Sequence, residues 1–159
     1  MLTRPILSAF ACILFAHGFA QDNVQQSIFN RISEKDGLSN NIVNCIVRDK
    51  AGFVWIGTFD GLNRFDGTHF IKFRNDRNNA NSLVQNTVHG ICLDSSGDIW
   101  CATETGISCY RQNTQTFENF YPGAKQDAYY TDILCDGQGT IWCASSYGLY
   151  EYVSSNRSF

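Results

Sequence analysis

The stretch Asp49-Lys50-Ala51-Gly52-Phe53-Val54-Trp55-Ile56-Gly57-Thr58-Phe59-Asp60-Gly61 decides the fold, because its frame returns at 94–106 and again at 136–148. Trp55, Trp100 and Trp142 are the only three tryptophans, 45 and 42 residues apart. Asp49, Asp94 and Asp136 each stand six residues before a Trp, and Gly52, Gly97 and Gly139 three before it. Thr58, Thr103 and Ser145 follow by three, Gly61, Gly106 and Gly148 by six, and Phe65, Tyr110 and Tyr152 by ten. Ile46, Ile91 and Ile133 precede by nine. Seven positions in register on one of the rarest residue types make an internal repeat.

Each position has a physical job. Asn44 to Arg48 and Val88 to Leu93 are β-rich runs that end at Asp-x-x-Gly, where Asp bonds back to the chain and Gly closes a type I turn. The next strand carries the Trp on a fixed face (53–58, 98–103, 140–145). Gly61, Gly106 and Gly148 then supply the positive φ of a tight turn. Third strands follow at 62–65, 107–110 and 149–152, and fourth strands at 69–73 and 117–121. Four short antiparallel strands every 42 to 45 residues describe a β-propeller blade. Helical repeats are shorter and need a 3.6-residue period, which is missing here. The fold class is all-β, three four-stranded antiparallel blades in an incomplete ring, at about 37–78, 83–125 and 128–159. The Trp is read as a packing residue between adjacent blades. Ile28 to Ile32 reads as an orphan outer strand, of the kind that completes the last blade of a closed ring. Three blades cannot close a ring, so the chain is expected to be the front of a longer protein and, on its own, to associate through its bare edges.

The chain has 159 residues, 43% hydrophobic and 17% charged, which allows one domain with a real core. Residues 1–20 read as a signal peptide. Arg4 is followed by an apolar run too short to span a bilayer comfortably, and Gly18-Phe19-Ala20 supplies a small-residue cleavage signal. Beyond the leader 11 basic residues face 15 acidic ones, a net −4, which excludes a polycationic surface for nucleic acid. Cys45, Cys92, Cys101, Cys109, Cys135 and Cys143 remain, an even count that an oxidising compartment could bridge in 15 ways. No pair has C-x-x-C spacing, and most lie in apolar strands, so they read as buried free thiols.

Asp36-Gly37-Leu38-Ser39-Asn40-Asn41, Gly52 to Thr58 and Asp60 to Gly67 resemble two-component regulator propeller repeats. The likeness covers 28–159 and is sharpest in the first copy. Ile56-Gly57 becomes Cys101-Ala102 and Cys143-Ala144 later on. The resemblance implies the N-terminal periplasmic sensor part of a hybrid two-component system. Further blades, an immunoglobulin-like domain, a membrane helix, a histidine kinase, a receiver and a DNA-binding domain would follow. It also implies a ligand derived from polysaccharide breakdown, an inner-membrane anchor and a homodimeric receptor.

Catalytic signatures are missing: no phosphate loop, no H-E-x-x-H and no G-x-S-x-G occur, and the repeated Asp residues are explained by their turns. His69 and His89 lie in strand-like runs and read as surface or packing residues. No catalytic residue, metal ligand or cofactor is assigned, and the Asp turns do not match a calcium loop. Binding is the better expectation. In a propeller the second-to-third-strand turns and the fourth-to-first-strand connections share one face. That face would carry Asn41, Phe59 and Asp60 from the first copy, Asn86 and Glu104 from the second, and Tyr129 and Tyr147 from the third. Aromatic platforms beside amides and carboxylates suit an oligosaccharide. The Asn-rich segment 75–81 reads as a solvated loop. An extracytoplasmic sensor module is the leading class. An exported propeller enzyme (lyase or glycosidase) and a non-catalytic adhesion or scaffold propeller are the alternatives.

Overall fold

The computed structural model describes residues 29–123, 128–153 and 158–159. The leader expected at 1–20 lies outside these residues, as does Ile28. Eleven strands form three antiparallel meanders, preceded by a three-residue 3-10 turn at Glu34–Asp36. The first sheet is β1 (Val43–Arg48), β2 (Val54–Thr58), β3 (Gly61–Phe65) and β4 (Phe70–Phe73). The second is β5 (Val88–Leu93), β6 (Ile99–Thr103), β7 (Ile107–Arg111) and β8 (Thr116–Phe120). The third is β9 (Tyr130–Cys135), β10 (Ile141–Ser145) and β11 (Gly148–Glu151). Strands start and stop within one or two residues of the sequence reading.

The third sheet has three strands, in keeping with fourth strands expected only at 69–73 and 117–121, and beyond β11 the described residues form an isolated bridge between Val153 and Ser158. Two expectations need correction. Phe29 to Ile32 joins no sheet, since the last blade it would pair with is not among the described strands. Gly106 does not carry a positive φ, whereas Gly61 (φ 116°) and Gly148 (φ 131°) do. What Gly106 supplies is room: a Cβ there would lie 3.0 Å from the Phe120 carbonyl oxygen and 3.3 Å from Val84.

The repeat is held by one local device used three times. The Asp49 carboxylate accepts the Phe53 backbone N–H at 2.9 Å on one oxygen and the Trp55 indole N–H at 2.8 Å on the other. Asp94 does the same for Asp98 and Trp100, and Asp136 for Thr140 and Trp142. In each turn the Gly N–H returns to the Asp carbonyl at 3.0 to 3.1 Å. The Asp thus closes the turn and fixes the indole of the following strand, a link the six-residue spacing encodes. Indole donation, ahead of the turn N–H bonds, lowers the Asp136 carboxyl below the usual carboxylate range.

Alternation along β6 then makes the core. Ile99 and Cys101 face the first sheet, joining Trp55, Leu62, Val88 and Tyr110, while Trp100 and Ala102 face the third, joining Phe120, Tyr130, Ile133 and Cys143. Trp55 packs on Tyr110 of the next sheet at 5.2 Å between ring centroids, and Trp100 on Tyr152 at 4.8 Å. The tryptophan therefore sits between blades wherever a following blade exists. The innermost strands run side by side, β1 by β5 and β5 by β9. Asn44 donates across the first of these seams to the Val88 carbonyl at 2.8 Å. Each innermost strand breaks register near its start, at Asn44, His89 and Thr131, all eleven residues before a Trp. Such bulges re-aim a side chain at the strand end.

Candidate functional site

The loop face is built from the β2–β3, β6–β7 and β10–β11 turns and the connections that enter β1, β5 and β9. The seven expected site residues divide by what they touch. Asn41 and Glu34 bond each other reciprocally through backbone N–H groups, at 3.0 and 2.9 Å, which closes the entry to β1. Asp60 accepts from Arg74 at 2.6 Å and from Asn86 at 3.3 Å, while the Asn86 carbonyl receives the Gly61 N–H at 2.7 Å. Glu104 accepts from the Gln85 amide at 2.9 Å. These four residues are brought to the face, and each spends at least one polar atom in holding its loops.

The aromatic members are partly exposed. Phe59 is 49% exposed, Tyr129 39% and Tyr147 48%. Phe59 and Tyr129 come from different sheets and are joined through a residue the sequence reading set aside. His89, on the β5 bulge of the sheet between them, lies 6.5 Å from the Phe59 ring and 4.8 Å from that of Tyr129. Its Nε2 is shut off from solvent and has no hydrogen-bond partner. A buried ring nitrogen without a partner is an unusual cost for a folded chain to retain. The signal that could have found His89 is its register, equivalent to Asn44 and Thr131 at the mouth of the innermost strands.

His69 has a different setting. It shares an exposed turn with Thr68 and Asp66, whose carboxyl is lowered to about 2, chiefly by the His69 and Thr68 backbone N–H bonds. Turn formation accounts for that cluster.

The segment 75–81 is exposed along its whole length, as expected of a solvated loop, but it is fastened in place. Asn75 donates to the Leu83 and Val84 carbonyls, Asn119 of β8 donates to those of Ala80 and Ser82, and the Phe117 N–H reaches Asn81. The loop is fastened to the outer strand of the second sheet and lines a groove of about 940 Å³ with Arg111, Asn113, Glu118 and Tyr121. Arg111 is committed there: it pairs with Asp98 at 2.9 Å and Glu118 at 2.6 Å, over the Trp100 ring. Among the described residues no helix is long and apolar enough to cross a membrane.

Comparison with known proteins agrees with this architecture. A model described as two-component regulator propeller matches residues 37–60 and 82–105, the turn-and-tryptophan frames of the first two blades. Over 79 residues the chain is 38% identical to a protein named histidine kinase P4 from Formosa agariphila, covering 48% of this chain and 6% of that protein. The crystal structure of the extracellular domain of a hybrid two-component system from B. thetaiotaomicron superposes with a TM-score of 0.70 at 29% identity. That match covers 80% of this chain and 19% of the solved one. Virginiamycin B lyase from Staphylococcus aureus shares the fold at 16% identity and a TM-score of 0.54, over 72% of this chain and 43% of the lyase. The chain thus spans a small part of the sensor proteins it matches. With its repeat frame, its blade packing and these likenesses in agreement, residues 37–60 and 82–105 are two-component regulator propeller repeats, set in a propeller segment similar to the extracellular domain of a hybrid two-component system.

Proposed function

We propose that this chain is the N-terminal part of the periplasmic sensor propeller of a hybrid two-component system. It would be exported by the leader at 1–20 and would bind an oligosaccharide on its loop face. The observation that carries the reading is the likeness, over 80% of the chain, to the extracellular domain of such a system. On this reading the segment does no chemistry of its own. Phosphotransfer and DNA binding belong to domains downstream, and the loop face contributes ligand recognition. Export fits the mildly acidic surface and the absence of any nucleic-acid-binding charge pattern. The further blades supply the edge partners that the first and third sheets lack, and a homodimeric receptor anchored in the inner membrane carries the signal inward.

The test is genetic. Sequencing past the codon for Phe159 should reveal more propeller repeats, then a membrane helix and a kinase. In the native bacterium, deleting residues 37–78 should abolish the transcriptional response to the saccharide that induces the adjacent genes. An immediate stop codon in the genome, or an induction profile unchanged by the deletion, would overturn the reading.

A further inference from the structure

We infer that Phe59, His89 and Tyr129 form a subsite for an uncharged sugar ring at the mouth of the innermost strands, an inference that rests on the sensor reading above. Three observations converge there. First, the residues come from three successive sheets, so a ligand seated on them bridges blades rather than decorating one loop. Phe59 occupies the β2–β3 turn, His89 the β5 bulge, and Tyr129 the entry to β9.

Second, the chemistry suits a pyranose. Phe59 and Tyr129 offer partly exposed aromatic faces, on which the C–H face of a sugar packs. His89 sits between them with neither ring nitrogen bonded to any described residue, and with Nε2 also closed to water. Nε2 is out of a ligand's reach, so the nitrogen left to a sugar hydroxyl is Nδ1, which donates or accepts as the imidazole tautomer requires.

Third, the surrounding charge selects against acidic sugars. Arg74, the cation at this face, is held by Asp60 at 2.6 Å. Glu104 lies on the β6–β7 turn, and Asp132 stands against Gly90, the residue after His89. A uronate or sulfate ester placed over His89 would meet carboxylates and find no uncommitted guanidinium or ammonium among these groups. Recognition of an anionic sugar normally relies on such a cation.

The experiment is calorimetric titration of the full chain with a short neutral gluco- or xylo-oligosaccharide and, separately, with an oligogalacturonate and a sulfated disaccharide. Neutral saccharide should bind, and each acidic one should bind at least about tenfold more weakly. His89→Ala and Phe59→Ala should each weaken neutral binding about tenfold, while Phe59→Tyr, which keeps the ring, should retain it. An unchanged circular dichroism spectrum identifies a folded variant; where Phe59→Ala fails to fold, Tyr129→Leu serves in its place. Preferred binding of the acidic sugars, or neutral binding indifferent to all these variants, would overturn the subsite and leave the sensor reading intact. If no saccharide binds, the subsite falls, and the sensor reading is then judged by its own induction experiment.

Discussion

The second and third sheets are built from the same repeat and carry the same Asp–Trp clamp, yet they differ sharply in burial. In the second, every residue of β6 is buried and Trp100 is 1% exposed between its own sheet and the next. In the third, Trp142 keeps its indole bond to Asp136 at 3.0 Å but is only partly covered, and Leu149 is 66% exposed. The turn and the indole orientation are therefore set within each copy. Burial is not: it is supplied by the blade that follows, and the third sheet has none among the described residues. Local geometry and packing energy are separable in this fold, and a single repeat is a template rather than a stable unit.

The most direct way to break this comparison is to remove the two tryptophans in turn. Trp100→Ala deletes an indole packed on Phe120 and Tyr152 and should cost about 3–5 kcal/mol in urea unfolding. Trp142→Ala should cost less than half as much, since its outer face touches no following sheet. Equal losses would show that the clamp, rather than inter-blade packing, carries the energy. A smaller effect should separate two glycines. A Cβ on Gly90 would lie 2.5 Å from the Asp132 carboxylate and 3.0 Å from the Ile133 nitrogen, so Gly90→Ala must push β5 and β9 apart, at about 1–3 kcal/mol. Gly137, in the turn before β10, has nothing within 4 Å of its Cβ position, and Gly137→Ala should leave the unfolding midpoint within experimental error. Comparable shifts for both would mean that the seam between innermost strands is not tightly packed.

Thiol chemistry sharpens the same contrast. Burial raises the Cys101 thiol well above its ordinary value, and lifts Cys45 and Cys143 to about 12. Cys135, on the third sheet, is only partly buried and is raised less far. Iodoacetamide labelling of the native chain at mildly alkaline pH, followed by peptide mass spectrometry, should modify Cys135 at least about tenfold faster than Cys101, which reacts only through opening of the second sheet. Equal rates would show that the second sheet opens as readily as the third. Cys45, Cys92, Cys101, Cys109, Cys135 and Cys143 are free thiols in the structure.

The amount legible in the sequence follows the same division. The strand spans and the inter-blade place of Trp55 and Trp100 could be read because rare residues recur at fixed spacing. The Asp–Trp bond was missed, although its six-residue interval was plain, because a turn accounts for Asp without asking what the second carboxylate oxygen does. Gly106 shows the reverse error: its register with Gly61 and Gly148 implied a shared φ, but its neighbours Phe120 and Val84 set a steric requirement instead. On the loop face, residue type was a fair guide to location and a poor guide to availability. Asn41, Asp60, Asn86 and Glu104 reach the face but each spends polar atoms on loop closure, which depends on partners 7 to 26 residues away. His89 was discounted because a strand histidine usually packs, and only the three-dimensional meeting of Phe59, His89 and Tyr129 gives it a setting.

The smallest expected effect concerns the clamp itself, in its buried and its exposed versions. Asp49 is buried over Trp55, whereas Asp136 holds the partly exposed Trp142 with the same pair of bonds. Indole and turn N–H donation lowers the Asp136 carboxyl, so its folded-state value lies below the unfolded one. Stability from this shift is therefore fully present above the ordinary carboxylate range and is lost as pH falls through the folded-state value. Carboxyl-resolved NMR should show Asp136 titrating below an unstructured aspartate, and Asp136→Asn should flatten that part of the acid unfolding profile by lowering the midpoint slightly at neutral pH. Asp49→Asn should lower the neutral-pH midpoint further, because it weakens bonds to two donors where no water can replace them. If the two substitutions were indistinguishable at neutral pH, solvent would not be what separates the first clamp from the third. The difference between covered and uncovered blades would then lie in hydrophobic contact alone.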